Sequence, residues 1–319
     1  MNALIKDKIK GVIFGQAIGD ALGLGTEFLT KKEISKYYPN GLHHYDQIVQ
    51  DEHRTRWKKG SWTDDTAQFL CILESILENN CVDCLDIAKR FQQWLLIDGL
   101  GVGQTTAQVL QLPQYHLFPK KAAELVWKSR GKKIAANGGL MRNSIVCLFN
   151  YWDTDLVLEN TASICKLTHF DPRCSDSCQI MALLILGELL EQPVDWNSFQ
   201  EHLVNYDDRI ISYLKNLNGN LASLHLDDSE TMGYTLKGLS AGAWAYYNSS
   251  TFEETLLSII HEGGDADTNG AIAGSILGAK YGYSTIPEKW IAGLIDKTKL
   301  EKLTTAFIAV LEKNYNKRF

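Results

Sequence analysis

The sequence predicts an all-α fold: one compact multi-helix domain of about a dozen helices over residues 1–319. Three observations carry that prediction. Apolar residues recur at helical spacing in several segments. Breaks rich in Gly, Pro and Asn separate those segments. No sustained period-2 series and no strand–helix alternation runs through the chain. The composition agrees, because 45% hydrophobic and 22% charged residues sit near globular averages and exclude disordered and fibrous classes. Six prolines in 319 residues are too few for a chain dominated by irregular loops.

Taken in order, the first segment alternates Lys6, Lys8 and Lys10 with apolar residues, and Asp20 interrupts the apolar stretch that follows. That is not the pattern of a secretory signal. After the break at Pro39-Asn40-Gly41 comes the longest polar stretch, His43 to Gly60, with His43, His44, His53, Arg54, Arg56, Lys58 and Lys59. It reads as a long surface loop, with an active-site lid as the alternative. Ala67 to Leu77 puts Phe69, Leu70, Leu73, Ile76 and Leu77 on one helix face. Breaks follow at Asp98-Gly99, Pro113, Asn137-Gly138-Gly139 and Pro172, then a helix over Ile180 to Leu190. Beyond Asn218-Gly219-Asn220, Gly238 to Gly242 matches G-x-S-x-G. Its flanks continue a helical pattern, so small residues on a packed helix face are expected and not a nucleophile elbow. Gly263-Gly264 and Pro287 bound further helices, over Ile272 to Leu277 and Leu300 to Leu311.

The balance of 32 Lys+Arg against 38 Asp+Glu gives a net charge of −6, which argues against nucleic acid as a partner. No apolar run approaches the roughly 18–20 residues of a membrane span. Seven cysteines, an odd number, point to reduced thiols, so the expected location is cytoplasmic. Cys81-x-x-Cys84 lacks two further ligands at zinc spacing and is expected to be incidental.

Two segments carry unusual chemistry. Gly60-Ser61-Trp62-Thr63-Asp64-Asp65-Thr66 and Gly263-Gly264-Asp265-Ala266-Asp267-Thr268-Asn269-Gly270 each combine turn residues, paired acids and a Thr before a helical run. Either alone reads as an N-cap with first-turn acids. If both helix starts face one cleft, four carboxylates converge. Their repulsion then calls for divalent cations with all-oxygen ligands, Mg²⁺, Mn²⁺ or Ca²⁺ in place of zinc. Asp267 is placed to bridge two such ions. Glu27, after the Gly-rich run Gly19 to Gly25, is a fifth acid. Gly99, Gly101 and Gly103 form a turn ahead of Gln104-Thr105-Thr106, where a helix start would suit an anion.

With these motifs in order along nearly the whole chain, the sequence resembles the ADP-ribosylglycohydrolase family. Gly15-Gln16-Ala17-Ile18-Gly19-Asp20-Ala21-Leu22-Gly23 with Glu27 is similar to the family's opening helix. Gly60 to Thr66 and Gly263 to Thr268 are similar to its two metal motifs, Asn137 to Arg142 to its N-G-x-x-M-R segment, and Thr168-His169 to its T-H pair. The resemblance implies an all-α fold with a dinuclear cleft holding two Mg²⁺ or Mn²⁺ ions. It implies Thr63, Asp64, Asp65, Asp265, Asp267 and Thr268 as metal ligands, with Glu27 beside the second ion and Asp65 or Glu27 as acid/base. It implies that Asn137, Gly138, Gly139 and Met141 border ADP-ribose, with His169 by the distal ribose or phosphates and Tyr234 stacked on adenine or packed. Many members carry an Asp where this chain has Gly101, before Gly103. That leaves Asp98, on the same turn, as the candidate partner for an arginine acceptor. The implied activity is removal of ADP-ribose from a modified protein, most nearly ADP-ribosyl-arginine, by two-metal activation of water at the anomeric carbon. ADP-ribosyl-serine hydrolysis, a non-catalytic ADP-ribose reader and a dinuclear phosphoesterase are the alternatives.

Overall fold

The computed structural model describes residues 1–215, 217 and 219–318; Asn218, in one of the expected breaks, lies outside them. Sixteen α-helices form among the described residues. The first eight are α1 Ala3–Gly23, α2 Lys31–Tyr37, α3 Asp64–Asn79, α4 Cys84–Ile97, α5 Gln104–Leu110, α6 Pro119–Ser129, α7 Ser144–Leu148 and α8 Thr154–Cys165. The rest are α9 Pro172–Leu189, α10 Trp196–His202, α11 Asp208–Leu214, α12 Thr235–Asn248, α13 Phe252–Ile260, α14 Ala266–Tyr281, α15 Glu288–Gly293 and α16 Lys297–Asn316. Every helix expected from periodicity is present: α3, α14 and α16 run past their expected bounds at both ends, and α9 starts earlier, at Pro172, and ends at Leu189 with Leu190 as its C-cap. The one extended pairing among the described residues is a bridge between Ala136 and Tyr234.

The molecule is organised around α1 and α14, which are buried along most of their length. Their contact is made by glycine. A Cβ at Gly11, Gly15, Gly19 or Gly23 would overlap the backbone carbonyl of Gly278, Gly274, Gly270 or Ala266 respectively. The four-residue spacing puts these glycines on one stripe of α1. Two antiparallel helices therefore touch backbone to backbone, and the contact tolerates no side chain. Helices α12, α13 and α9 pack round this pair. Ser240 of the G-x-S-x-G sequence lies inside α12, donating to Leu236 O at 2.7 Å, while Gly238 and Gly242 meet Ile272 of α14.

The polar stretch from His43 to Gly60 departs from a plain surface loop. Two short 3₁₀ turns, Tyr45–Gln47 and Arg54–Arg56, shape it. Arg54 is 2% exposed and donates to the carbonyls of Leu24, Gly25 and Glu27. A guanidinium has five donors to place, and here they tie down the segment that follows α1. All seven cysteines are free thiols. No helix among the described residues is long and apolar enough to cross a membrane.

Candidate metal centre and ligand cleft

The glycine contact sets the first distance in the site. It brings the C-terminal end of α1 against the N-terminal end of α14, and α3 begins beside both. Chain reversal after α1 is closed by a two-bond clasp: Phe28 N–H donates to Gly264 O at 2.6 Å and Gly264 N–H donates to Leu29 O at 3.0 Å. The clasp sets Glu27 beside the acids of α14. One carboxylate oxygen from each of Glu27, Asp265 and Asp267 lies within 4.8 Å of the others.

The acids at the start of α3 join the same cluster. Thr63 Oγ1 donates within reach of Asp65 Oδ2 and Asp267 Oδ2, both at 3.3 Å, and Thr268 Oγ1 reaches Asp65 Oδ2 at 3.3 Å. Neither N-cap residue, Thr63 of α3 or Asp265 of α14, caps its own helix with its side chain. For α3 the free N–H groups of Thr63 and Thr66 go instead to Asp20 of α1, at 2.8 and 2.9 Å. Asp20 is fully buried and serves as a cap supplied from another helix.

Electrostatics make this cluster costly by itself. Burial, then neighbouring acids, pushes the carboxyls of Asp64, Asp65 and Asp267 well above the ordinary carboxylate range. Burial raises Asp20 and Asp265 to about 6. Asp65 Oδ1 is buried with no hydrogen-bond partner. An orphaned buried carboxylate oxygen among convergent hard oxygen donors is the signature of a site shaped for a divalent cation. The residues present therefore fit a hard divalent cation.

Above the cluster opens a cleft of about 310 Å³. Of the expected residues, Glu27, Asp64, Asp65, Asp265, Asp267, Thr268, Gly101, Gly103, Asn137, Gly138, Met141 and His169 line it. Thr63 stands a layer behind, and Gly139 backs onto Cys165 Sγ and the His169 side chain. Asn137 Nδ2 donates to Asp265 Oδ2 at 2.6 Å.

Two further expected residues do not line the cleft. Asp98 ends α4 exposed, on the far side of the Gly-rich turn. It faces a separate groove with Trp62, Glu74, Arg90 and Lys299. The positive φ of Gly99 and Gly101 carries the chain away from Asp98 before it reaches the cleft. Tyr234 lies outside the cleft lining. Its hydroxyl accepts from Arg173 Nη1 at 3.0 Å, and its ring packs against the Arg173 guanidinium and Tyr213. Gly101 does belong to the cleft: a Cβ there would lie 2.8 Å from Asp64 Oδ1 and 3.3 Å from Trp57.

A buried polar chain missed in the sequence links both ends of the cleft. Gln68 Nε2 donates to Asp64 Oδ2 at 2.9 Å. Arg142, fully buried, donates to Gln68 Oε1 and Thr168 Oγ1 and lies 4.3 Å over the Phe91 ring. Thr168 Oγ1 is 2.8 Å from His169 Nδ1. Arginine only donates and aspartate only accepts, so the Gln68 amide has one workable orientation. The Thr168 oxygen accepts from Arg142, and its own hydrogen is left for His169 Nδ1. Burial and the Arg142 charge pull His169 down to about 3, so the ring is neutral and carries its proton on Nε2. The motif letters N-G-G-L-M-R and T-H contained this link, but only the fold reveals that Arg142 and Thr168 touch. Also missed were Phe28 and His53. His53 Nε2 meets Glu27 Oε2 at 2.6 Å.

Residues 1–317 match the model of a protein family described as ADP-ribosylglycohydrolase. The chain belongs to that family. The ADP-ribosylarginine hydrolase Tri1 of Serratia proteamaculans is 28% identical over 93% of this chain and 78% of its own length. The ADP-ribosyl-[dinitrogen reductase] glycohydrolase of Rhodospirillum rubrum is 27% identical over 93% of each chain. A solved structure titled ADP-ribosylglycohydrolase-related protein complex matches with a TM-score of 0.71 and 26% identity, over 96% of this chain and 98% of its own. The all-α architecture is thus that of the ADP-ribosylglycohydrolase fold.

Proposed function

We propose that the chain is a metal-dependent hydrolase that frees ADP-ribose from modified arginine side chains of proteins. The observation that carries this reading is the convergence of Glu27, Asp64, Asp65, Asp265 and Asp267 on one cleft, with Asp65 Oδ1 left without a donor. The names of the relatives from Serratia and Rhodospirillum support the substrate class.

Two divalent cations, Mg²⁺ or Mn²⁺, held by Thr63, Asp64, Asp65, Asp265, Asp267 and Thr268 with Glu27 alongside, would balance the buried charge, polarise the ribose hydroxyls and acidify water. The chain's own groups do the rest. Asn137, Gly138 and Met141 border the ADP-ribose, and Nε2–H of His169 donates to a pyrophosphate or distal ribose oxygen. Asp65 or Glu27 accepts a proton as the water oxygen bonds to C1″. The C1″–N bond breaks, the departing guanidino nitrogen takes up a proton, and the products are ADP-ribose and unmodified arginine. The carboxylates surrounding C1″ favour the positive charge of an oxocarbenium-like transition state.

The test offers the purified protein ADP-ribosyl-arginine and ADP-ribosyl-serine peptides, each with EDTA or with Mg²⁺ or Mn²⁺, and identifies products by mass spectrometry. Free ADP-ribose from the arginine peptide, only with cation, is expected. Exclusive serine cleavage overturns the acceptor. Release of phosphate or AMP overturns the reaction, and binding of ADP-ribose without cleavage of either peptide makes the protein a reader.

A further inference from the structure

Phe28 is anomalous twice over. Its φ is +60°, the left-handed region that a bulky residue rarely enters. Its side chain is also 54% exposed, on the wall of the acid-lined cleft. The backbone conformation has a structural cause, the clasp to Gly264 that sets Glu27 beside Asp265 and Asp267. That cause concerns the backbone alone. Gly or Asn would make the same turn with less strain, and neither would expose an aromatic ring to water. What remains to be explained is the ring, and strain retained at a cleft points to a use for it.

The position of the ring narrows that use. Phe28 follows Glu27 directly and its ring packs on His53, whose Nε2 meets Glu27 Oε2 at 2.6 Å, so it stands beside the acid cluster. It is the exposed end of an aromatic row: Phe28 to His53 is 5.0 Å between ring centroids and His53 to Trp57 is 5.4 Å. The inner end of that row already carries a guanidinium, because Arg56 lies 4.5 Å over the Trp57 ring. In the same cleft Gly101 packs closely on Asp64 and Trp57, where a Cβ would lie 2.8 Å from Asp64 Oδ1 and 3.3 Å from Trp57, so no side chain of that turn covers the cleft there. A planar cation lying on the exposed Phe28 ring meets an aromatic face with the carboxylates of the cleft alongside, an environment that suits a guanidinium, whereas the aromatic face adds nothing for a small hydroxyl.

We infer that Phe28 is a specificity-determining residue, a platform on which the guanidinium of the modified arginine stacks while its bond to C1″ breaks. The inference rests on the hydrolase reading above and names the group that selects its acceptor. Stacking of this kind changes affinity by about tenfold.

The experiment compares wild type, Phe28→Leu and Phe28→Trp, using kcat/KM on ADP-ribosyl-arginine and ADP-ribosyl-serine peptides and the Kd of ADP-ribose by calorimetry. Leu keeps bulk and loses the π face, and Trp keeps the face. Expected are an approximately tenfold loss in kcat/KM on the arginine peptide for Phe28→Leu, restoration by Phe28→Trp, and unchanged ADP-ribose affinity for both. Equal losses on arginine and serine peptides overturn the inference, as does a matching loss of ADP-ribose affinity, which would assign the ring to the nucleotide. No hydrolysis by wild type is a separate outcome: it sinks the hydrolase reading itself, and the platform with it. Circular dichroism and melting temperature guard against an unfolded variant. If Phe28→Leu does not fold, Phe28→Met, which also keeps bulk and removes the π face, should give the same arginine-selective loss.

Discussion

The two acid-bearing helix starts, at Thr63 of α3 and Asp265 of α14, carry similar chemistry but are held in different ways. The start of α3 is secured by a side chain: Asp20 accepts from Thr63 and Thr66 N–H, which frees the Thr63 hydroxyl to face the cluster. The start of α14 is secured by backbone, through the glycine contact with α1 and the clasp of Gly264 with Phe28 and Leu29. Asp267 there also accepts its own helix's Thr268 N–H at 2.8 Å. A functional helix start can thus be released from capping itself in two ways, by a donated cap or by direct packing. The first is sensitive to one carboxylate and the second to any added carbon.

The comparison breaks most sharply at the glycines. Gly270→Val should cost at least about 3 kcal/mol, because both overlapping atoms are main chain and cannot move aside. Thermal unfolding should show loss of the cooperative transition or a large drop in its midpoint. A variant melting like wild type would mean that the two helices can separate freely.

Next come the acids themselves. Asp267→Ala should lower kcat at least about a hundredfold while the helical spectrum survives, since it removes a carboxylate shared by both halves of the cluster. Asp20→Asn should act more gently and through position. Mn²⁺ affinity, read by calorimetry, should fall about tenfold, the usual cost of losing a group that orients a ligand. Equal effects from the two substitutions would erase the distinction between ligand and support.

A pH series sharpens the comparison further. In metal-free protein Asp20 and Asp265 are raised from 3.8 to about 6. The folded state therefore binds more protons than the unfolded chain between those values. Stability from these groups is fully present below about pH 4 and is lost as pH rises through about 6. His169 works in the opposite sense: lowered to about 3, it destabilises the fold as pH falls below 6.5. That contribution is common to protein with and without cation and cancels in their difference. The gain in melting temperature from Mn²⁺ over EDTA should therefore grow between pH 5 and pH 8. A flat or falling gain would show that the cluster does not require the cation.

The smallest expected effect is none. Asp98→Ala should leave the ratio of arginine to serine cleavage within about twofold of wild type, since Asp98 faces another groove. A selective loss on arginine would bring the turn back into the cleft.

The helices and the acids of the cleft were legible because each signal is local. Apolar spacing reports a helix face, and paired acids at a helix start report their own chemistry. Asp20 was readable only as part of a motif, because its role is to cap a helix 43 residues further on. Arg142, Thr168 and Gln68 likewise form a chain only once three separate segments meet. The stretch from His43 to Gly60 misled because polarity was taken for exposure, whereas Arg54 is buried among carbonyls that no sequence pattern marks. The side that Asp98 faces was not legible, because neighbouring positions on a Gly-rich turn need not face the same way.

The glycine contact between α1 and α14 also has a consequence in time. During synthesis Asp64 and Asp65 emerge about 200 residues before Asp265 and Asp267, roughly 10–40 s earlier at ordinary elongation rates. Through that interval α1 has no backbone partner, and the early acids remain in water, where their charge costs little. Only when α14 closes onto its glycine stripe do the carboxylates come together and lose their solvent. Cation capture would then report the arrival of α14, a signal that can be followed by the paramagnetism of Mn²⁺ as translation proceeds.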